Sequence, residues 1–299
     1  MKTLTITRPA LMPRVRALSR TPGDVFWARL RRSRGAVVGG GIVCAFILTA
    51  ILAPWIAPHD PVLNDLANAL VPPGTNGYLL GTDNLGRDLL SRIIFGTRIS
   101  LSVGLVVQGV AVVLGTATGL LAGYYGGPVD DVVSGITNIM FAFPRFLFAL
   151  AIMAVLGASL FNVFLALGVV SWPTLCRLVR AETLALKAKD FVEAARAGGA
   201  SDRRILVRHI LPNCLGPIVV VATLGVAGAI LSEASLSFLG LGAQPPMPSW
   251  GSMLSRGRAY MWSASWLTVF PGLAIFLAVL GLNLLGDGIR DALDPRTSR

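Results

Sequence analysis

The sequence predicts an all-α, polytopic membrane protein with six transmembrane helices and with both termini on the cytoplasmic side. Its composition supports this fold class, because 54% of the 299 residues are hydrophobic, 14% are charged, and the mean hydropathy is +0.69. A soluble domain ordinarily carries about 25% charged residues, so this chain has too few charges to cover a soluble globule. We therefore exclude an ordinary soluble enzyme and expect a lipid bilayer around the chain.

Long stretches without charged residues locate the predicted spans, since a transmembrane helix requires about 20 apolar residues. The stretch 132–176, interrupted only by Arg145, is too long for one crossing. As a single helix it would measure about 67 Å, roughly twice the ~30 Å hydrocarbon core. We divide it at the turn-forming segment Gly157-Ala158-Ser159. The predicted spans are residues 36–57, 99–123, 132–156, 160–179, 214–239 and 265–286.

The segments outside the spans complete the predicted organisation. A basic N-terminal segment, 1–35, contains Phe26 and Trp27 among arginines, which fits either an amphipathic helix on the membrane surface or a simple basic flank. Residues 58–98 form an external segment, and 99–286 form a five-helix core that includes a cytoplasmic loop at 183–213. The stretch 241–263 is rich in turn formers and predicts an irregular outer loop, and 287–299 form a cytoplasmic tail.

The basic residues test this topology. Of the 26 Lys and Arg residues, 20 lie on the predicted cytoplasmic side, five lie outside, and Arg145 falls within the third span. Such a bias is the positive-inside pattern of membrane proteins. We therefore interpret the net charge of +11 as a topology signal and expect no nucleic-acid partner.

The loop 183–213 has the pattern of two short helices joined by a glycine turn. Asp190 and Glu193 have the spacing of a capping box, so a helix is predicted to begin there. Phe191, Ala194, Ala195 and Gly198 share one face of that helix, and Gly199 can form the turn. A second helix is predicted from Ser201 or Asp202, with Pro212 at its end. The pattern fits a rigid docking element or, alternatively, a solvated connector.

Four sequence blocks resemble a known family. Glu193-Ala194-Ala195, Gly199 and Ile210-Leu211-Pro212 are similar to the EAA loop of bacterial ATP-binding-cassette (ABC) importer permeases. The blocks 81–100, 236–251 and 283–291 resemble the C-type permease subunit of dipeptide and oligopeptide importers, and the resemblance covers residues 25–296. His209 departs from the isoleucine that the wider family often has there, and it resembles the peptide-importer branch.

The resemblance implies a type I ABC importer permease fold in the bacterial cytoplasmic (inner) membrane. It also implies four kinds of partner: a second homologous permease subunit, two ABC ATPase subunits, an extracytoplasmic substrate-binding protein and the lipid bilayer. ATP and Mg²⁺ would bind to the ATPases, because this chain has no Gly-Lys pair for a P-loop. We expect no catalytic residue, cofactor or metal in this chain. The residues implied to couple to the ATPases are Asp190, Glu193, Ala194, Ala195, Gly198, Gly199 and Pro212.

Polar residues within the spans are candidates for the translocation path, since intramembrane charges usually face a cavity or the protein interior. Arg145 could pair with a peptide carboxylate or with Glu233, or it could reach the membrane interface. Glu233 could line the path or hold the outer loop. Asn138 is a weaker path candidate, because amides in spans, Gln108 included, more often hydrogen bond between helices.

Acidic and basic residues before the second span form a separate group. Asp83, Arg87 and Asp88, with Arg92, could dock the binding protein from outside, or they could form a local network of caps and salt bridges.

The function that these features predict is that of a permease subunit in an ATP-driven peptide importer. The same machinery could import nickel chelates or glutathione. A secondary transporter coupled to ions through Glu233 and a non-transporting scaffold are the alternatives from other functional classes.

Overall fold

Helices form most of the molecule. The computed structural model describes residues 22–293, so the first 21 residues and the last six, which belong to the predicted N-terminal segment and tail, lie outside this range. The helices in chain order are α1 (Pro22–Arg32), α2 (Arg34–Ile56), α3 (Leu89–Tyr125), α4 (Gly127–Ala142), α5 (Arg145–Leu156), α6 (Leu160–Lys187), α7 (Asp190–Ala197), α8 (Asp202–Ile205), α9 (Leu211–Phe238), α10 (Trp250–Gly257) and α11 (Trp266–Leu293).

Among residues 22–293, five helical segments are long and apolar enough to cross a membrane, and a bent pair adds a sixth when its two helices are taken together as one span. Four of the five are α2, α3, α6 and α11. The remaining one runs without interruption from Asp202 to Phe238, because one π-helical turn (Leu206–Ile210) joins α8 to α9. The bent pair is α4 and α5, which meet at 89°.

The prediction of a regular third span over 132–156 was wrong. The helix begins earlier, at Gly127, and breaks at Phe143 and Pro144 before α5 starts. Proline has no backbone N–H and disfavours helical geometry in the residue before it, and Phe143 is correspondingly extended (φ −100°, ψ 138°). The crossing is therefore broken at a definite point.

Four helices extend beyond their predicted spans, because charged residues do not mark their ends: α3, α6, α9 with α8 before it, and α11, which continues to Leu293 into the predicted tail. The helix α3 begins at Leu89, capped by the Asp88 carboxylate, which accepts a hydrogen bond from the Ser91 N–H at 2.9 Å. Arg92 lies inside its first turns and is almost fully buried. At the cytoplasmic end, α6 continues to Lys187.

The prediction of an irregular outer loop over 241–263 was wrong in part, because some of this stretch is helical. It contains α10, which begins with a capping box between Ser249 and Ser252. Trp250 at the start of α10 is fully buried and donates a hydrogen bond from its indole nitrogen to the Ile93 carbonyl at 3.1 Å. This contact fastens the outer helix to α3.

The centre of the molecule is the contact between α3 and α6, which depends on three glycines. Gly115, Gly119 and Gly123 recur every four residues and therefore lie on one face of α3. A Cβ at Gly119 would lie 2.6 Å from the Cys176 carbonyl oxygen, so only glycine allows this approach. Small residues at such spacing permit close helix packing in membranes. Around this contact, α11 packs on α2 and α9.

Candidate functional site

The helix α7 ends in a turn that requires glycine. Gly199 has φ +78°, in the left-handed region that side chains with a Cβ rarely adopt. Its N–H donates to the Arg196 carbonyl at 3.0 Å, and the Ala200 N–H donates to the Ala195 carbonyl at 3.1 Å. These two hydrogen bonds form a Schellman motif, which satisfies carbonyls at the end of the helix. The predicted turn at Gly199 is confirmed.

Apolar and polar contacts fix α7 and α8 to the membrane core. Val192 and Ile205 are fully buried in a cluster that also contains residues of α3 and α6. The Tyr124 hydroxyl, at the end of α3, donates to the Asp202 carboxylate at 2.6 Å, and Lys187 donates to the Tyr124 carbonyl at 2.5 Å. The two helices therefore pack directly against the cytoplasmic ends of α3 and α6.

The outer face of this element is exposed. Five of the predicted coupling residues lie on it: Asp190, Glu193, Ala194, Gly198 and Gly199. Ala195 is half-buried, because it faces the core on the same side as Val192. The helix begins at Asp190 as predicted, but Lys189 is the N-cap residue and makes no side-chain cap hydrogen bond. The predicted capping box is therefore not formed.

The sequence predicts Pro212 at the end of a separate second helix, and this prediction was wrong. Pro212 lies in the first turn of α9, which is continuous with α8 through the π-helical turn. Proline has no N–H to donate to a carbonyl of the preceding turn, and the π-helical turn lies directly before it. The second helix of the loop and the fifth span therefore form one rod.

A polar cavity lies between α4 and α6. Its volume is about 330 Å³, and the residues that line it include Asn138, Arg177 and Arg180. The Arg177 guanidinium donates to the Asn138 carbonyl oxygen at 3.0 Å and also lies over the Phe141 ring, 4.1 Å from its centroid. These contacts place Asn138 on a cationic surface. In the sequence, Arg177 and Arg180 contribute only to the count of basic residues on the cytoplasmic side.

A bidentate ion pair lies beside the same cavity, which Arg180 helps to line. The Arg180 guanidinium donates to both carboxylate oxygens of Asp130, at 2.5 and 2.6 Å. Asp130 lies on α4 and Arg180 lies on α6, so this ion pair joins α4 to α6.

Arg145 is the first residue of α5, directly after the break. The residue is exposed, and its guanidinium donates to the Ser171 hydroxyl at 3.2 Å. In the part of the chain that the structure describes, no acidic side chain forms an ion pair with Arg145. The predicted pair with Glu233 is therefore not formed, and the cation remains open to a partner outside this chain.

Glu233 is buried inside the molecule. Its carboxylate accepts hydrogen bonds from Ser237 at 2.6 Å and from Ser100 of α3 at 3.4 Å, and the residue is 0% exposed. A group without exposed surface does not line a path in this conformation. Its serine partners lie on α3 and α9, and the predicted hold on the outer loop stays a prediction. Gln108 is also buried and lies against Gly225 of α9, which fits the packing role.

The outer charged residues form a local network. Asp83 pairs with Arg87 at 2.6 Å and lies 3.7 Å from Arg92, and Asp88 caps α3. All four side chains are buried, which supports the local network over direct contact with another protein. Docking of a binding protein by Asp83, Arg87 and Asp88 stays a prediction.

Together, the broken crossing, the cationic cavity and the exposed helix–turn–helix define a helical membrane permease. Residues 115–299 match the model of a family described as the binding-protein-dependent transport system inner membrane component, and the chain belongs to that family. Residues 21–73 match the N-terminal transmembrane domain of oligopeptide transport permease C. The chain is thus an inner-membrane permease component of an ABC importer.

Individual relatives cover nearly the whole chain. The chain is 45% identical over 282 residues to the dipeptide transport system permease protein DppC of Haemophilus influenzae, which covers 93% of this chain and 96% of that protein. It is 46% identical over 288 residues to the glutathione transport system permease protein GsiD of Pectobacterium atrosepticum, with 96% of each covered.

A solved structure agrees with the fold. A chain of the MetNI methionine ABC transporter, in an inward-facing conformation, matches with a TM-score of 0.55 at 21% identity. The match covers 68% of this chain and 96% of that one. The predicted type I importer permease fold is confirmed.

Proposed function

We propose that this chain and a second permease subunit form the path by which short peptides enter the cell, driven by two partner ATPases and supplied by an extracytoplasmic binding protein. The observation that carries the substrate class is the near-full-length similarity to permeases named for a dipeptide and for glutathione. Both are small peptides with free carboxylates. ATP and Mg²⁺ belong to the ATPases in this proposal, because this chain has no Gly-Lys pair for a P-loop.

The helix–turn–helix of α7 and α8 is the proposed contact with the ATPases. Its exposed face carries small residues, Ala194, Gly198 and Gly199, which allow a partner surface to approach the backbone closely. Its opposite side is fixed to the core through Val192, Tyr124 and Asp202. An element that is exposed on one side and packed on the other can transmit a displacement from a partner to the spans.

The path proposal rests on cations that face open space. Arg145 has a neutral partner, Ser171, and Arg177 lies in the cavity between α4 and α6. A peptide carboxylate would gain a charge-assisted hydrogen bond from such a guanidinium. The break between α4 and α5 places irregular backbone next to this surface, as occurs where membrane proteins line cavities.

The test is uptake of radiolabelled dipeptides, oligopeptides and glutathione by cells that express the whole importer, with and without depletion of ATP. We expect uptake of at least one of these labelled peptides, reduced by an excess of the same unlabelled peptide. We expect this uptake to be lost when ATP is depleted. Uptake that survives depletion but collapses with an ionophore would identify an ion-coupled transporter instead. Uptake of a nickel chelate with no uptake of any peptide would contradict the substrate class.

The coupling part of the proposal is tested by Gly199→Asp. The substitution adds a charge to the exposed face and disfavours the left-handed turn by about 1–2 kcal/mol. We expect normal insertion but loss of co-purified ATPase and of uptake. Gly74→Asp is the matched control, because Gly74 has φ +77°, equally free surroundings and a place in the external segment. Wild-type ATPase association and uptake in Gly199→Asp would show that α7 and α8 do not couple.

A further inference from the structure

The start of α3 and the outer helix α10 enclose a small cavity with an uncompensated positive charge. The polar residues that line it are Asp83, Asn84, Arg92 and Arg256, and the rest of the lining comes from residues such as Leu89 and Met253. Its volume is about 10 Å³, close to the space that one water-sized occupant requires. The cavity lies away from the coupling helices and from the cavity between α4 and α6.

The charges around this cavity do not balance. Three guanidiniums meet here, from Arg87, Arg92 and Arg256, and Arg87 already engages Asp83 at 2.6 Å. Asp88 is the other buried acid of this region, but it caps α3 and lies 3.6 Å from His59. Three cations against two acids leave one excess positive charge around the cavity, where Arg87 and Arg92 are buried and Arg256 is half-buried.

Arg92 lines the cavity and carries a hydrogen-bond donor without a partner. It is 1% exposed, its Nη1 donates to the Pro61 carbonyl at 2.7 Å, and its Nε lies 3.7 Å from the Asp83 carboxylate. Its Nη2 has no hydrogen-bond partner among residues 22–293. An unpartnered donor on a buried guanidinium costs more free energy than an ordinary unsatisfied group.

Arg256 adds a second cation from α10. Burial lowers the pKa of its guanidinium, and repulsion from Arg87 lowers it further, against the attraction of Asp83. A guanidinium nevertheless stays protonated in proteins. The repulsion between α3 and α10 therefore persists unless an anion lies between them.

We propose that this cavity binds one monovalent inorganic anion, chloride under ordinary conditions, which bridges Arg92 of α3 and Arg256 of α10. The ion satisfies the free donor of Arg92, balances the single excess charge, and holds the outer helix against the second span. A water molecule could occupy the space and accept one hydrogen bond, but it would leave the charge uncompensated.

The test measures hydrogen exchange by mass spectrometry on the full-length chain, purified in detergent with the subunits that accompany it. Samples in sodium chloride and in sodium gluconate are compared at equal ionic strength. At a chloride concentration about ten times its dissociation constant, openings that release the ion become about tenfold rarer. We expect exchange about tenfold slower in chloride over residues 250–257 and 83–92, and unchanged over α7.

Two variants locate the ion. Arg256→Gln removes one cation of the site and should abolish the difference between chloride and gluconate over both segments. Arg258→Gln is the matched control, because Arg258 follows α10, is exposed and lies outside the cavity lining, so it should retain the difference. Equal exchange of the wild type in the two salts would overturn the proposal, and so would a chloride effect of full size in Arg256→Gln.

Discussion

At the scale of single residues, the same kind of charge has opposite surroundings in different parts of this chain. Arg92 is almost fully buried and is held by a carbonyl and a nearby carboxylate, whereas Arg145 is exposed with a neutral hydroxyl as its partner. A charge within an apolar region is costly unless it meets a partner or water. The exposed Arg145 therefore has the property that a substrate-facing cation needs.

The first prediction concerns Arg145→Ala. If this guanidinium binds substrate carboxylates, the variant should insert and assemble normally, because a mid-span arginine opposes insertion by about 2.5–3.5 kcal/mol and its removal relieves that cost. Uptake should fall by about tenfold or more, which corresponds to the ~1.5–3 kcal/mol of a hydrogen bond to a charged group. Initial uptake rates at equal membrane abundance give the measurement.

Arg145→Lys serves as the control, since it keeps the positive charge but loses the planar guanidinium. It should retain more uptake than the alanine variant. Unimpaired transport by Arg145→Ala would assign this side chain to an interface and not to the path.

Sequence reasoning identified the important charged residues but not their burial. Asp83, Arg87 and Asp88 were found from their motif, and either a docking role or a local network was consistent with it. Side-chain burial favours the local network, and part of the surroundings comes from α10, a helix that the turn-forming residues around it did not reveal. The partners of Glu233 were equally hidden, because Ser100 is 133 positions away in the chain.

At the scale of the helical elements, glycine spacing decides how close two spans approach. Gly115, Gly119 and Gly123 allow α6 to contact the backbone of α3, and a Cβ at Gly123 would lie 2.7 Å from the Thr183 Cβ. Without a hydrophobic force between helices in lipid, this close van der Waals packing is a main source of association.

The second prediction follows from this packing. Gly119→Leu should reduce the folded yield strongly, because the clash involves backbone atoms of α6 and exceeds the ~1–3 kcal/mol of ordinary overpacking. Gly109→Leu on the same helix is the control, since a Cβ at Gly109 meets nothing within 4 Å. Size-exclusion profiles and melting temperatures of the two variants give the comparison, and equal stability would contradict the packing argument.

The element boundaries show why charge-free stretches were an incomplete guide. They found the long apolar helices, because lipid-facing surface must be apolar. They placed the start of α3 too late, because Arg92 and Arg98 lie within the helix, where they donate to backbone carbonyls of residues 61, 50 and 51. They also missed the break at Pro144, although an X-Pro pair inside a long span is a signal for one.

At the scale of the whole molecule, an uneven number of charges on the two sides fixes the orientation. The side that holds α7 and α8 collects 20 of the 26 basic residues, so it faces the cytoplasm under the positive-inside rule. The opposite side presents α10 and the segment between α2 and α3. A partner ATPase and a binding protein would therefore meet different ends of the chain.

The third prediction tests this orientation with single cysteines in a background without Cys44, Cys176 and Cys214. Lys189→Cys and Leu79→Cys place thiols at exposed positions on the two sides. An impermeant thiol reagent added to spheroplasts, which lack the outer barrier, should label Leu79→Cys only, and permeabilised cells should label both. Labelling of Lys189→Cys in sealed spheroplasts would reverse the topology.

The π-helical turn at Leu206–Ile210 sets how far α8 is rotated about the helix axis relative to α9, the fifth span. A π turn contains one residue more than an α turn, and each residue rotates a helix by about 100°. Deleting one residue there would remove the extra rotation between α8 and α9, while Pro212 would still lack an N–H for the preceding turn. The rod would remain intact, yet the Gly199 turn would point roughly a quarter of a revolution away from its present bearing. The extra residue thus sets the direction in which the exposed Gly199 turn points.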